Sequence, residues 1–180
     1  MISVLLGLGS NTDYCGENPL RLLASACREL SGILRSPVFS SIYESKAMYV
    51  ENQSNFYNMV VKGFVPDEES PFALLEKIHE IESKYGRNRE KEIRFGPRSL
   101  DIDIEDFGGA VINSAPELIL PHPRAHEREF VLIPALEILT DSADEKIRRS
   151  FQEFLKALPE QGVQKCSEEI QMMFKNDLSS

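Results

Sequence analysis

Runs of apolar and β-branched residues predict four strands along the chain. Ile2–Leu8, Val38–Tyr43 and Phe56–Val65 show the clustering that is typical of buried strands. Alternation of apolar and polar residues over 98–104 predicts a fourth strand with one buried face. The pair Gly108-Gly109 then predicts a turn that ends this strand.

Helical spacing separates these strands in two places. Asn18 followed by Pro19 is an N-cap signal, and it opens a segment with apolar residues on one face. Ser70-Pro71 opens a second helix, which we expect to end at Gly86, and a further helix is predicted over 144–158. The order β-α-β-β-α-β predicts an α+β fold, a ferredoxin-like βαββαβ core with C-terminal additions.

Length and composition fit a single domain. The 180 residues are 42% hydrophobic and 27% charged, and we assign 1–160 to the domain and 161–180 to a C-terminal tail compatible with disorder. The formal net charge of −9 argues against nucleic acid or a membrane surface as a partner, and no apolar run is long enough to span a bilayer. Three scattered cysteines fit reduced thiols, so we expect a cytoplasmic protein.

The stretch RFGPRSLDIDIEDFGG, residues 94–109, places two acids on one side of the predicted strand. Asp101 and Asp103 alternate with apolar residues, so their carboxylates lie about 6.5–7 Å apart along the chain and repel each other. A pair of this kind suits Mg²⁺, which proteins hold with one or two carboxylates plus substrate phosphates. The alternative is an exposed strand face with incidental acids.

Basic residues crowd into the loop before this strand, although the protein is acidic overall. Arginine suits bidentate contact with phosphate oxygens. A solvated charged loop is the alternative, and the acid pair is what favours a site for a Mg²⁺-bound polyphosphate. The basic residues are Arg87, Arg89, Lys91, Arg94 and Arg98.

Two other segments offer polar groups for a ligand. In LPHPRAHEREF, His122 and Arg128 suit a phosphate clamp, although a structural turn explains them equally well. On the third strand, Asn58 suits the edge of a heterocycle and Phe56 its face, whereas core packing is the alternative. No P-loop, dinucleotide fingerprint or nucleophile elbow is present.

The stretches GLGSN, IESKYGRNR, RFGPRSLDIDI and LPHPRAHEREFVLIPALEI follow one another between Leu6 and Leu139. Together they closely resemble the 6-hydroxymethyl-7,8-dihydropterin pyrophosphokinases of folate biosynthesis. The resemblance implies Mg²⁺-dependent transfer of pyrophosphate from ATP to the hydroxymethyl group of a reduced pterin, with release of AMP. It also implies a three-layer α-β-α sandwich built on the ferredoxin-like core.

The resemblance further implies a role for individual residues. Asp101 and Asp103 are expected to bind two Mg²⁺ ions and, with Arg87 and Arg98, to carry catalysis. The residues expected to contact ATP are Glu82, Arg89, Arg94, Arg98, His122 and Arg128. Those expected to contact the pterin are Ser45, Met48, Phe56, Asn58, Phe95, Asp101 and Phe130.

The chain departs from the family pattern in places. Glu105 and Asp106 stand where apolar residues are usual, and alternation predicts Glu105 beside the metal face and Asp106 towards the core. The loop YESKAMYVENQ lacks the usual proline and glycine, which favours a catalytically silent nucleotide- or pterin-binding module as an alternative. A metal-dependent phosphohydrolase is another alternative. We expect a monomeric pyrophosphokinase.

Overall fold

The structure is a computed structural model that describes residues 1–46, 54–87 and 96–179. It combines helices with an antiparallel sheet of six strands and a separate two-stranded ribbon. The strands within the described residues are β1 (Ile2–Ser10), β2 (Arg35–Phe39), β3 (Tyr43–Ser45), β4 (Phe56–Val65), β5 (Asp101–Phe107), β6 (Ile112–Ser114), β7 (Leu118–Leu120) and β8 (Gln164–Lys165).

The two N-terminal helices begin where the sequence predicts. The Asn18 side chain accepts a hydrogen bond from the Arg21 N–H at 3.0 Å, and the Ser70 hydroxyl accepts one from the Ala73 N–H at 3.0 Å. No helix in the described part of the chain is long and apolar enough to cross a bilayer. The helices are α1 (Pro19–Ile33), α2 (Pro71–Lys84), α3 (Glu129–Ile138), α4 (Glu145–Ala157) and α5 (Glu168–Ser179).

Strand β1 lies inside the sheet and connects two apolar clusters. The strand order is β5-β1-β4-β3-β8, and β2 also pairs with β4. Val4, Leu6 and Leu8 on one side of β1 pack with residues of α1, α2 and α5. Leu5 on the other side packs with residues of α3 and α4. Burial on both sides of β1 fixes the position of β5, which carries the acid pair.

The single strand predicted over Val38–Tyr43 is wrong, because β2 and β3 are separate strands that both pair with β4. Between them, the Ser40 hydroxyl accepts the Val60 N–H at 2.9 Å. The Ser41 N–H donates to Glu137 Oε2 of α3, also at 2.9 Å. These side chains replace part of the backbone ladder, and the strand is therefore divided.

Strand β5 begins three residues later than predicted and contains a β-bulge. On β1, Leu6 pairs with Ile104 and Leu5 pairs with Asp106, so Glu105 is the extra residue of β5. The bulge changes which side chains share a face. It interrupts the alternation of apolar and polar residues on which the predicted side-chain directions of Glu105 and Asp106 depend.

Because of the bulge at Glu105, the prediction that Asp106 points towards the core is wrong. The bulge brings Phe107 into the apolar cluster in its place. Asp106 is half-buried, and its Oδ2 accepts the Gly109 N–H at 3.2 Å in the following turn. Burial raises the pKa of Asp106, although this hydrogen bond opposes the effect.

The residues after 160 contain β8 and α5. Strand β8 pairs with β3 at the edge of the sheet. Gln171 of α5 accepts the Ile42 N–H at 2.9 Å and donates to the Ile42 carbonyl at 2.8 Å. Phe174 is buried in the cluster formed with α1. The segment assigned to a tail thus adds a strand and a helix to the fold.

Candidate active site

A pocket lies where β1, β5 and the start of α3 meet. Gly7 and Gly9 of β1 pair with Asp103 and Asp101, and the missing side chains leave space beside both carboxylates. The residues that line the pocket are Gly7, Leu8, Gly9, Ser45, Lys46, Phe56, Asn58, Met59, Gly96, Arg98, Asp101, Asp103, Glu105, Arg128, Phe130 and Val131.

Two arginines engage the carboxylate of Asp101. Arg87 donates to Oδ1 and Arg98 donates to Oδ2, so both oxygens carry a charge-assisted hydrogen bond. Burial disfavours the charged form of Asp101, but the two guanidinium groups outweigh burial and hold its pKa below the usual range. Asp101 is therefore ionised at neutral pH.

The buried carboxylate of Glu82, at the end of α2, anchors this cluster. Its Oε1 accepts the Ile102 N–H of β5 at 2.8 Å and also a hydrogen bond from Arg87. Only 1% of the Glu82 side chain is exposed, compared with 7% for Arg87. Glu82 therefore connects α2 to β5 and holds Arg87 against Asp101.

Asp103 has a different environment from Asp101, because 35% of its side chain is exposed. Arg128 donates to Asp103 Oδ2 at 3.2 Å, and the Arg128 guanidinium carbon lies 5.5 Å from the centre of the Phe130 ring. The Nε atoms of Arg98 and Arg128 are buried and have no hydrogen-bond partner among the described residues. Both groups thus retain a donor for an anionic ligand.

His122 faces the same carboxylate. Its Nε2 lies 3.9 Å from Asp103 Oδ2, and its Nδ1 accepts the Arg124 N–H at 3.3 Å. Burial lowers the pKa of His122, although the charge on Asp103 opposes this effect, so the ring is largely neutral at pH 7. Because Nδ1 is an acceptor, we assign the single ring proton to Nε2, which faces Asp103 Oδ2.

Glu105 lies beside Asp103, on the face that alternation predicts. Only 1% of Glu105 is exposed, and neither carboxyl oxygen has a hydrogen-bond partner among the described residues. A Cβ atom on Gly7 would lie 2.7 Å from Glu105 Oε1, so the glycine makes room for this carboxyl group. Burial first, and then the charge on Asp103, raise the pKa of Glu105 well above its usual value.

The other end of the pocket combines an amide with aromatic rings. Asn58 Nδ2 donates to the Ser45 hydroxyl at 2.9 Å, which fixes the amide plane between β3 and β4. The Asn58 Oδ1 lies 3.4 Å from the position that a Cβ on Gly9 would occupy. Phe56 and Phe130 line the same pocket. This end can hydrogen-bond the edge of a flat heterocycle and contact its faces.

The acid pair has the donor chemistry that Mg²⁺ prefers. Asp101 and Asp103 present carboxylate oxygens to one pocket, and substrate phosphates can supply further oxygen ligands. No group of three or more potential metal-ligating side chains occurs among the described residues. Arginines currently neutralise Asp101, so a cation there would replace them.

The structure brings most of the predicted site residues together, and it adds residues that sequence reasoning did not select. Gly7, Gly9 and Val131 line the pocket but were not predicted to do so. Glycines at alternate positions of a buried strand signal a close approach, and the GLG of GLGSN carries that signal. Four predicted site residues, Met48, Arg89, Arg94 and Phe95, lie outside the described residues.

Comparisons with known proteins identify the family of this chain. A family model for 7,8-dihydro-6-hydroxymethylpterin-pyrophosphokinase (HPPK) matches residues 5–140. The chain is 35% identical over 143 residues to 2-amino-4-hydroxy-6-hydroxymethyldihydropteridine pyrophosphokinase of Haemophilus influenzae, with 78% of this chain and 84% of the relative covered. It is 40% identical over 133 residues to the Bacillus subtilis protein of the same name, with coverages of 74% and 75%.

Among solved structures, the wild-type HPPK-DHPS of Plasmodium falciparum is similar to this chain. The TM-score is 0.59 at 14% identity, with 86% of this chain and 45% of that chain covered. At this identity the likeness concerns the fold, and the present chain spans less than half of the Plasmodium protein. The match to the family model covers most of the sequence. The chain therefore belongs to the 7,8-dihydro-6-hydroxymethylpterin-pyrophosphokinase family, whose members are transferases.

Proposed function

We propose that this protein transfers pyrophosphate from ATP to the hydroxymethyl group of 6-hydroxymethyl-7,8-dihydropterin in folate biosynthesis. The products are AMP and the pterin pyrophosphate. One observation carries the proposal. Asp101 and Asp103 share a pocket with the guanidinium groups of Arg98 and Arg128, and the same pocket contains the Asn58 amide. Family membership supports the same activity.

The triphosphate of ATP is assigned to the space between the acid pair and the guanidinium groups. The buried Nε atoms of Arg98 and Arg128 need acceptors, which phosphate oxygens supply. His122 donates from Nε2 to the same group. Asp101 and Asp103 would hold two Mg²⁺ ions together with the phosphates, and the bound ions would supply charge neutralisation and polarisation of the transferred group. Arg87 and Arg98, which engage Asp101 in the free protein, are assigned to the phosphates in the complex.

The pterin ring is assigned to the apolar end of the pocket. Asn58, held by Ser45, hydrogen-bonds the amide-like edge of the ring. Phe130 and Phe56 contact its faces, and we also assign pterin contacts to Met48 and Phe95. Since Gly9 carries no side chain beside Asn58, the heterocycle approaches the strand closely. This orientation directs the hydroxymethyl group towards Asp101.

The transfer is an in-line substitution at the β-phosphorus of ATP. The hydroxymethyl oxygen forms a bond to the β-phosphorus, and the bond from this phosphorus to the oxygen that bridges it to the α-phosphate breaks. AMP leaves with that bridging oxygen, and the proton of the hydroxyl group passes to solvent. Arg87 and Arg98 stabilise the charge that develops on the leaving oxygen and on the transferred group.

The remaining assignments complete the proposal. Glu82, Arg89 and Arg94 contribute to ATP binding, and residues 1–160 together with β8 and α5 form a single pyrophosphokinase domain. The order β5-β1-β4 followed by β2 and β3 supports a ferredoxin-like core within a three-layer sandwich. We further propose a cytoplasmic monomer that binds neither nucleic acid nor membranes, in keeping with the net charge of −9.

Product analysis tests the proposed function. Purified protein is incubated with ATP, the pterin and Mg²⁺, and nucleotides are separated and quantified. We expect AMP in equal amount to the pterin pyrophosphate, and no AMP when either the pterin or Mg²⁺ is omitted. Formation of ADP instead of AMP indicates a different kinase. Phosphate release without pterin indicates a phosphohydrolase, and ligand binding without any product indicates a silent binding module.

A further inference from the structure

The start of α3 has no cap of its own, and it carries the pocket residues Arg128, Phe130 and Val131. Arg128 precedes the first helical residue, and its side chain makes no capping hydrogen bond to the helix. Instead, the Arg128 guanidinium group reaches Asp103, and Phe130 follows within the first turn. The orientation of this turn therefore determines where both side chains lie in the pocket.

A glutamine from beyond α4 supplies the missing cap. Gln161 Oε1 accepts the Glu129 N–H at 3.1 Å, and Gln161 Nε2 donates to the Glu127 carbonyl at 2.7 Å. The Gln161 backbone N–H donates to Glu129 Oε2 at 2.7 Å. These hydrogen bonds hold the backbone on both sides of Arg128. They also satisfy an N–H group that an uncapped helix start leaves without an acceptor.

We propose that Gln161 is a positioning residue of the active site, which fixes the start of α3 so that Arg128 is presented to the phosphates of ATP. This inference rests on the proposed function. Gln161 itself does not line the pocket, so its effect is transmitted through Arg128. It also lies outside residues 5–140, the part of the chain that the family model matches. The C-terminal segment thus takes part in positioning the site.

Substitution of Gln161 by methionine tests the proposal. Gln161→Met keeps the length of the side chain and removes both side-chain hydrogen bonds. Gln152→Met, on the exposed surface of α4, is the matched control. We measure the Kd of a non-hydrolysable ATP analogue with Mg²⁺ by calorimetry, and KM and kcat for AMP formation. We expect a three- to tenfold rise in Kd and in KM for ATP in Gln161→Met, and less than a twofold change in the control.

A double-mutant cycle separates positioning from a general loss of stability. In an Arg128→Ala background, Gln161→Met should change the Kd of the analogue by less than twofold, because the residue through which it acts is gone. In an Arg98→Ala background, its full effect should persist. The inference alone is overturned if Gln161→Met changes the Kd equally in all backgrounds. It is also overturned if the wild type forms AMP and the single variant Gln161→Met leaves the Kd unchanged. A wild type that forms no AMP overturns the proposed function and this inference together.

Discussion

The buried carboxyl group of Glu105 leads to a prediction about stability. Neither of its oxygens has a hydrogen-bond partner among the described residues, and the nearest ring nitrogen, Nδ1 of His122, is 3.7 Å away. Leucine has a similar volume and needs no hydrogen bonds. We therefore expect Glu105→Leu to increase the free energy of unfolding.

The magnitude follows from two contributions. A buried polar group without a partner costs about 1–3 kcal/mol, which corresponds to roughly 2–12 °C in Tm for a chain of this size. The raised pKa of Glu105 adds a dependence on pH. Between the usual pKa of 4.5 and the raised value, the unfolded chain is ionised while the native group stays protonated. In this pH range the free energy of unfolding of the wild type therefore falls, relative to that of the leucine variant, by up to about 1.4 kcal/mol per pH unit.

Urea denaturation at pH 4, 5, 6, 7 and 8 measures this difference. Other titrating groups contribute similarly to both proteins, so subtraction isolates Glu105. We expect Glu105→Leu to be the more stable protein, by a margin that is smallest at pH 4 and widens with rising pH. Glu105→Gln keeps a polar group but cannot ionise. It should remove the pH dependence and give a smaller increase in the free energy of unfolding than Glu105→Leu. A leucine variant that is less stable at every pH, or a margin that is constant with pH, refutes the reasoning.

Three further predictions concern the site. Asp103→Ala should abolish AMP formation while circular dichroism stays unchanged, because this carboxylate is partly exposed and lies beside the carboxyl groups of Asp101 and Glu105; an unfolded variant would show that Asp103 is structural. Arg98→Ala should lower kcat more than it raises the Kd of an ATP analogue, and equal losses would remove Arg98 from catalysis. In Gly7→Ala, the added Cβ would lie 2.7 Å from Glu105 Oε1, so we expect a lower Tm. Adding Glu105→Ala should restore the Tm, and a double variant as unstable as Gly7→Ala would contradict the contact.

Local signals in the sequence predict several elements well. The starts of α1 and α2 are encoded by an N-cap residue followed by proline, and each cap forms within four residues of chain. β4 is found over Phe56–Val65 as predicted, because a long apolar run suffices to specify a strand buried on both sides. None of these features needs information about a distant partner.

Features that depend on distant partners are not predictable from one sequence in the same way. The bulge at Glu105 exists only relative to the register of β1, and alternation alone assigned Asp106 to the wrong face. The acid pair was predicted from spacing, but its unequal environments were not. Asp101 is enclosed by Arg87 and Arg98, which lie on either side of residues 88–95 in the sequence. Asp103, in contrast, stays partly exposed.

A crystal structure with a non-hydrolysable ATP analogue, Mg²⁺ and the pterin tests the acid pair most directly. We expect oxygens of Asp101 and Asp103 at about 2.1 Å from bound cations, as is usual for Mg²⁺, and Arg87 and Arg98 on phosphate oxygens. A complex in which both arginines still engage Asp101, with no cation in contact with either carboxylate, would contradict the proposed role of the pair.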